Sequence, residues 1–225
     1  MPEPLVLKKS NGFYEIPLFE EFNVRAVFTT REKKVDLRNI GISGSKIAQP
    51  TQVHGNAVFC ACKPGPAGEA DALITNCRNI PLAIRTADCL PVFLCDTAHS
   101  AIAMIHAGWK GIHKKIILKT IKQMETKFST DPSDLVAALG PAIRPCCYEV
   151  GAEFRVYFGD FVSARDNRLY FDIVSAAVSE LLEAGVKKGH IYDSAICTSC
   201  RNDEFFSFRR EGLMAGRSFS VIERL

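Results

Sequence analysis

No run in the 225-residue chain approaches the roughly 18 uncharged apolar residues that a membrane span requires. Its opening residues, MPEPLVLKKSNG, lack the basic start and long apolar centre of a secretory signal. These absences predict a cytoplasmic protein with no membrane partner. Charge of one sign is also scarce. The 28 Lys and Arg residues nearly balance the 25 Asp and Glu residues, leaving +3, and the basic residues are scattered, so no stripe for nucleic acid is expected. Repeats and low-complexity linkers are absent, which favours one domain over residues 1–225. No G-x-x-x-x-G-K-[ST] phosphate loop occurs. Tryptophan appears once and histidine five times, with no H-x-H pair.

Cysteine is abundant by contrast. Nine cysteines without an export signal point to reduced thiols, and the odd number rules out a complete intramolecular disulfide set. Metal ligation, catalysis or burial must account for them. Apolar residues at 47% and charged residues at 24% are ordinary for a globular protein.

Strand-like runs of branched and aromatic residues recur at VRAVFTT, NAVFCAC, DALITN, PLAIRTA, PVFLCD, SAIAMIH and LVAALG, then at HIYDSAIC and RSFSVIE. The stretch CKPGPAGEAD, residues 62–71, reads as a loop. Two segments have helical periodicity. After Gly111, Ile112, Ile116, Ile117, Ile121, Met124 and Phe128 form one stripe, and Ile173, Ala176, Ala177, Leu181 and Ala184 form another. Asp172 is placed to cap the second helix and Gly185 to end it. The fold class is therefore α/β: a single layered domain with a central mixed sheet flanked by helices.

Three metal-competent side chains stand at strand boundaries: His54 in QVHGNAV, Cys89 in TADCLPVFL and His106 in IAMIHAGW. Strand ends of an α/β sheet are where distant parts of a chain meet around a ligand. Two imidazoles and a thiolate suit zinc, and three protein ligands leave a fourth tetrahedral position for a water of lowered pKa. The same residues permit other readings. Each can be simply buried, or Cys89 can be a nucleophile with His106 as its base and Asp88 orienting the imidazole.

Other candidates surround these. HAGWKG offers a glycine-flanked helix start with Lys110 as a cation for phosphate, and Trp109 as a surface for a flat ring. Arg85, ahead of TADC, is a second cation. Arg209 and Arg210 follow the alternating FFSF, which predicts a strand that turns one arginine inward. GPAIRPCCYEVG, residues 140–151, is a turn-rich site element carrying Cys146, Cys147, Tyr148 and Glu149, with Glu149 a candidate proton shuttle. The C-x-x-C of Cys197 and Cys200 has no second C-x-x-C to complete a zinc site and reads as reduced structural thiols.

Taken in order, TQVHG, RTADCLPV, HAGWKG, LGPAIRPCCYEVG and CTSCRNDEFFSFRREG closely resemble the YfiH-type laccase-domain family, once described as multicopper polyphenol oxidases. The resemblance runs from about residue 20 to the end of the chain. It implies the fold shared with cytotoxic-necrotizing-factor-type cysteine hydrolases and a zinc held by His54, Cys89 and His106. It also implies phosphorolysis of purine nucleosides and of S-methyl-5'-thioadenosine, and deamination of adenosine. The catalytic set expected is Cys89, His106, Glu149 and Asp88. The substrate set is Arg85, Lys110, Cys147, Tyr148 and Arg209, acting on purine nucleosides and phosphate in a monomer or weak homodimer. Members linked to peptidoglycan precursor editing make a metal-free Cys–His hydrolase or amidase the alternative, and a non-catalytic module with structural zinc is a third reading. Two departures, Arg144 where glycine is common and Thr198–Ser199 where an aromatic is frequent, bear on substrate preference. Copper suits the chain less well than zinc, because five histidines cannot build a blue-copper site beside a trinuclear cluster.

Overall fold

The computed structural model describes residues 2–32, 42 and 47–225. The runs of branched and aromatic residues fold as strands, but they form two seven-stranded sheets and a small three-stranded one. The first large sheet runs in the order Glu3–Pro4, Ile191–Asp193, Leu135–Leu139, Leu90–Asp96, Ile102–Ala107, Ala72–Thr75 and Val58–Cys60. It is mixed. The pairings around Leu90–Asp96 and Ile102–Ala107 are antiparallel, whereas Val58–Cys60 and Ile191–Asp193 pair in parallel with their inner neighbours. The second runs Lys8–Ser10, Phe13–Glu15, Val24–Thr29, Ser218–Arg224, Leu82–Thr86, Ala48–Thr51 and Gly65–Glu69.

Side-chain alternation explains why both faces of the first sheet are apolar. Leu90, Val92 and Leu94, with Ala103 and Ile105, pack against Ile116, Ile117, Ile121 and Met124 of one helix and Ile173, Ala177 and Leu181 of another. Their neighbours Phe93, Cys95, Ile102 and Met104 face Phe28, Leu82, Ile84 and Ile222 of the second sheet. The mixed α/β class thus holds, with the sheet component doubled. A strand buried on both sides reads as a continuous apolar run, and such a run does not say whether helices or a second sheet cover it.

Asp172 caps the helix Ile173–Glu183, accepting from the Ser175 N–H at 2.9 Å, and Gly185 ends it with φ +99°. The first periodic segment is two helices rather than one, Trp109–His113 and Ile116–Phe128, broken at Lys115 with φ 59°. The buried Glu180 carboxylate accepts from the N–H groups of Ile117 and Leu118 and so satisfies the start of the longer helix. Residues 62–71, expected as loop, contain the strand Gly65–Glu69. It lies at a sheet edge, where Pro66 needs no ladder donor and Gly65 and Gly68 supply positive φ. The strand expected around FFSF is instead a short helix, Phe208–Glu211, whose cap Ser207 accepts from the Arg210 N–H at 3.3 Å.

Candidate metal centre

His106 lies near the end of Ile102–Ala107, Cys89 directly before Leu90–Asp96, and His54 in the turn that precedes Val58–Cys60. Strands of the first sheet therefore deliver the three side chains to one sheet end, with Ala72–Thr75 lying between Ile102–Ala107 and Val58–Cys60. Their ligand atoms lie within 4.8 Å of one another, with His106 buried, Cys89 half-buried and His54 exposed. The two imidazoles meet edge to face, with centroids 4.8 Å apart. His54 adopts φ 57° and Asp88, just before Cys89, adopts φ 84°. Left-handed backbone at two non-glycine residues costs on the order of 1–3 kcal/mol each, a pattern that clusters at functional sites.

Asp71 organises the site, and the sequence reading missed it. Fully buried, it accepts from His106 Nδ1 at 2.7 Å and from the N–H groups of Val53, His54 and Gly55 at 3.3, 3.0 and 2.6 Å. It fixes the His106 ring, leaving Nε2 as the free ligand atom, and also shapes the turn that presents His54. Burial opposes its charge, but the His106 and Gly55 hydrogen bonds prevail and hold its pKa below the ordinary value. The one available sequence signal was a carboxylate opening the otherwise apolar run DALIT.

Burial also opposes a Cys89 thiolate. The charge of His106 and hydrogen bonds from His106 and His54 outweigh it and bring the thiol down to about 6. His106 rises to about 9, because the Cys89 charge and the Asp71 hydrogen bond overcome its desolvation. The donor set fits a borderline-soft divalent cation: one thiolate, two imidazoles and a buried carboxylate behind one of them. The fit is close. A methyl group on Gly108 would stand 3.1 Å from Cys89 Sγ and 3.2 Å from His54 Cδ2, so glycine leaves the ligands room to converge.

The cluster opens into a cleft of about 1480 Å³, larger than the roughly 300–1,000 Å³ of common small-molecule pockets. Trp109, Tyr148 and Phe154 supply aromatic walls, and Arg85, Arg209 and Arg217 supply cations. Arg209 donates to the Glu149 carbonyl at 2.7 Å and lies over the Tyr148 ring at 5.4 Å. Burial and the nearby Cys89 charge raise the Tyr148 phenol, so it stays protonated as a donor. Arg210 turns elsewhere, bonding the carbonyls of Thr198, Ser199 and Phe205.

Four expected site residues stand differently. Lys110 is exposed, lies outside the cleft lining, and holds Nζ 5.6 Å over the Trp109 ring. One helix position is about 100° of rotation, so Trp109 faces the cleft while Lys110 faces solvent. Cys147 joins Cys146, Cys197 and Cys200 in a separate thiol cluster. Asp88 lines the cleft, but its carboxylate accepts from Thr198 Oγ1, Ser207 Oγ and the Arg209 N–H at 2.7, 3.0 and 2.6 Å. Three donors make it a positioning residue that ties Cys89 to the Arg209 segment. Glu149 also lines the cleft, and its exposed carboxylate pairs with Arg168 at 3.0 Å. Arg144, the residue where glycine is common, forms a bidentate pair with Asp193 at 2.7 and 2.6 Å.

Comparison with known proteins extends these observations. Residues 21–224 match the family described as multi-copper polyphenol oxidoreductase laccase. A protein named purine nucleoside phosphorylase from Aquifex aeolicus is 37% identical over 167 residues, covering 74% of this chain and 77% of its own. Purine nucleoside phosphorylase YfiH of Shigella flexneri is 36% identical over 225 residues, covering 94% and 89%. Among solved structures, the hypothetical protein YfiH of Bacillus licheniformis superposes with a TM-score of 0.90 at 22% identity, covering 97% of this chain and 99% of its own. YlmD of Geobacillus stearothermophilus gives 0.88 at 25% identity, covering 98% and 99%.

Proposed function

This chain belongs to the YfiH-type laccase-domain family, and from that premise we propose that it is a zinc-dependent enzyme of purine nucleosides. The proposed reactions are phosphorolysis of adenosine, inosine, guanosine and S-methyl-5'-thioadenosine, and deamination of adenosine to inosine. The observation that carries the proposal is the convergence of His54, Cys89 and His106 on a cleft with aromatic walls and three arginines. The relatives named purine nucleoside phosphorylase support it.

His54, Cys89 and His106 would hold the metal, which supplies Lewis acidity and lowers the pKa of a bound water to about 7. The remaining work falls to the chain. Arg85 and Arg209 present guanidinium groups to phosphate, and planar forks suit its oxygens. Among the described residues Arg85 has no carboxylate partner, which leaves its charge for a ligand. Trp109 and Tyr148 offer faces to the purine. In phosphorolysis a phosphate oxygen bonds to the ribose C1', the bond from C1' to the base nitrogen breaks, and the base leaves with its electron pair. The protonated Tyr148 phenol, which lines the cleft, would donate a hydrogen bond to that base. Deamination adds water at C6 of adenine and releases ammonia.

Two imidazoles and one thiolate are also the trigonal ligands of a blue-copper site, but a multicopper oxidase needs a histidine-rich trinuclear cluster as well, and the chain's five histidines cannot supply both. Incubation of zinc-loaded protein with adenosine, with and without phosphate, tests the proposal. Adenine appearing only with phosphate marks phosphorolysis, and inosine marks deamination. Absence of both products refutes it.

One observation favours a second reading: the metal-free Cys89–His106 pair is already poised as thiolate and imidazolium. A metal-free chain that is inert to nucleosides and cleaves an amide through Cys89 would establish it.

A further inference from the structure

Away from the nucleoside cleft, the turn of residues 145–147 meets the turn of residues 198–200. Four thiols come together there: Cys146 and Cys147 from the first segment, Cys197 and Cys200 from the second. All four Sγ atoms lie within 4.8 Å of one another, with Cys147 and Cys200 at 3.4 Å and Cys146 and Cys200 at 3.6 Å. We propose that these four cysteines are a second metal site, separate from His54, Cys89 and His106, that takes a tetrahedral thiophilic cation of the zinc type.

The spacing supports a metal. A tetrahedral tetrathiolate with Zn–S bonds of about 2.3 Å separates its sulfurs by about 3.8 Å, inside the range these thiols span. A disulfide between any two would need an S–S distance near 2.05 Å and would leave the other two thiols stranded. Such a bond is also disfavoured in the reducing compartment that nine unpaired cysteines suggest. The sequence pattern hid the site because its second pair is adjacent rather than C-x-x-C. A tight turn lets neighbouring cysteines serve together: the N–H groups of Cys147 and Tyr148 both bond the Arg144 carbonyl at 2.8 Å, curling the chain around the thiols.

The frame is assembled independently of any cation. Ala142 and Cys197 form a parallel bridge, the Thr198 N–H donates to the Ala142 carbonyl at 3.1 Å, and the Arg201 N–H donates to the Cys197 carbonyl at 3.0 Å. Arg144 clamps Asp193 on the same side. Cys197 is buried, Cys147 half-buried, and Cys146 and Cys200 exposed, so the site has a closed inner side and an entry path from solvent. Its consequence is mechanical. Tyr148 follows Cys147 directly, and the chain beyond Cys200 leads to Arg209, so a cation here would pin together the two segments that form one wall of the cleft.

The test is titration of the reduced, metal-free full chain with cobalt(II), followed by displacement with zinc. Two equivalents are expected. One should carry the intense sulfur-to-cobalt charge transfer and tetrahedral ligand-field bands of a tetrathiolate. The double variant Cys146→Ser, Cys200→Ser should lose that equivalent and its bands while keeping the other, and Cys89→Ser should do the reverse. A reduced wild-type chain that binds no cobalt equivalent with tetrathiolate bands overturns the assignment, as does a tetrathiolate spectrum that survives in the double variant. The wild-type count needs no variant to fold, and neither readout involves turnover, so failure here is distinguishable from failure of the nucleoside reading.

Discussion

Replacing Asp71 by asparagine should damage the metal centre without touching a ligand. The carboxylate accepts four hydrogen bonds, two at each oxygen: Oδ1 takes His106 Nδ1 and the His54 N–H, and Oδ2 takes the Val53 and Gly55 N–H groups. An amide has one acceptor oxygen. If it faces His106, its NH₂ meets the two N–H donors of Val53 and Gly55 in a fully buried position, which costs about 1–3 kcal/mol of stability. If it faces the turn, the NH₂ must donate to His106 Nδ1, which forces the ring proton onto Nε2, the atom needed for the metal. Loss of such an orienting carboxylate typically weakens metal binding 10- to 100-fold, or about 1.4 to 2.7 kcal/mol. Asp71→Asn should reach the upper part of that range, because both the His106 ring and the His54 turn depend on the same side chain. Zinc affinity measured by competition against a chromophoric chelator reads the effect, with circular dichroism as the check on folding. A folded Asp71→Asn protein whose affinity changes by less than about threefold would show that the carboxylate does not organise the site.

Two further predictions probe different levels. Gly108→Ala places a methyl group against Cys89 Sγ and His54 Cδ2, so metal content after dialysis should fall well below that of the wild type while the unfolding midpoint of the metal-free protein moves little. Unchanged metal content would mean that the ligands have slack the contacts do not suggest. Glu180 concerns stability: burial pushes its carboxyl up to about 7 from the ordinary 4.5, against hydrogen bonds from Leu118 and Ile117, and one oxygen has no partner. The native state therefore binds the proton more tightly than the unfolded chain, and stability drains as pH rises from about 4.5 to about 7. Glu180→Gln removes that term, so its stability relative to wild type should climb across this window by on the order of 3 kcal/mol, measured by urea unfolding at several pH values. A pH-independent difference contradicts the reasoning.

The sequence disclosed elements better than encounters. Runs of branched and aromatic residues located the strands that flank Cys89 and carry His106, and periodicity with Asp172 and Gly185 located a helix, because those signals are local. What failed depended on the third dimension. Lys110 and Trp109 are neighbours in sequence but face different surroundings, since a single helix step turns the side chain by about 100°. Cys147 and Tyr148 share the turn-rich element GPAIRPCCYEVG, yet the turn sends the two apart, one to Cys200 and one to the cleft. Asp71 carried no motif at all. Its importance arises from lying beside the His54 turn and under His106, contacts 16 to 35 residues away along the chain. The strand Gly65–Glu69 was concealed for the opposite reason: glycine and proline are turn formers in sequence, but at a sheet edge they cost little.

The metal and thiol readings of Cys89 share one electrostatic origin, and that origin can be tested in the metal-free chain. Placing His106 between Asp71 and Cys89 lets the imidazole hold two protons, one toward each anion, and each partner stabilises the other. Cys89 should therefore be a thiolate above pH about 6 and lose that character as the pH falls through 6. Other thiols behave differently: Cys200 is raised to about 11 by its thiol neighbours and Cys95 to about 12 by burial, while Cys197, also lowered, is buried away from the reagent. Iodoacetamide at neutral pH should then alkylate Cys89 ahead of the exposed Cys146 and Cys200, with a rate that levels off above pH about 7. His106→Gln removes the cation beside the sulfur, so the midpoint should move toward the ordinary thiol range and the selectivity should disappear. Zinc should protect Cys89, because the metal occupies the lone pair that would attack the reagent. Peptide mapping by mass spectrometry across a pH series distinguishes the outcomes. Preferential labelling of Cys146 or Cys200, or a Cys89 midpoint unaffected by His106→Gln, would contradict the thiolate–imidazolium pair and weaken both readings of the site.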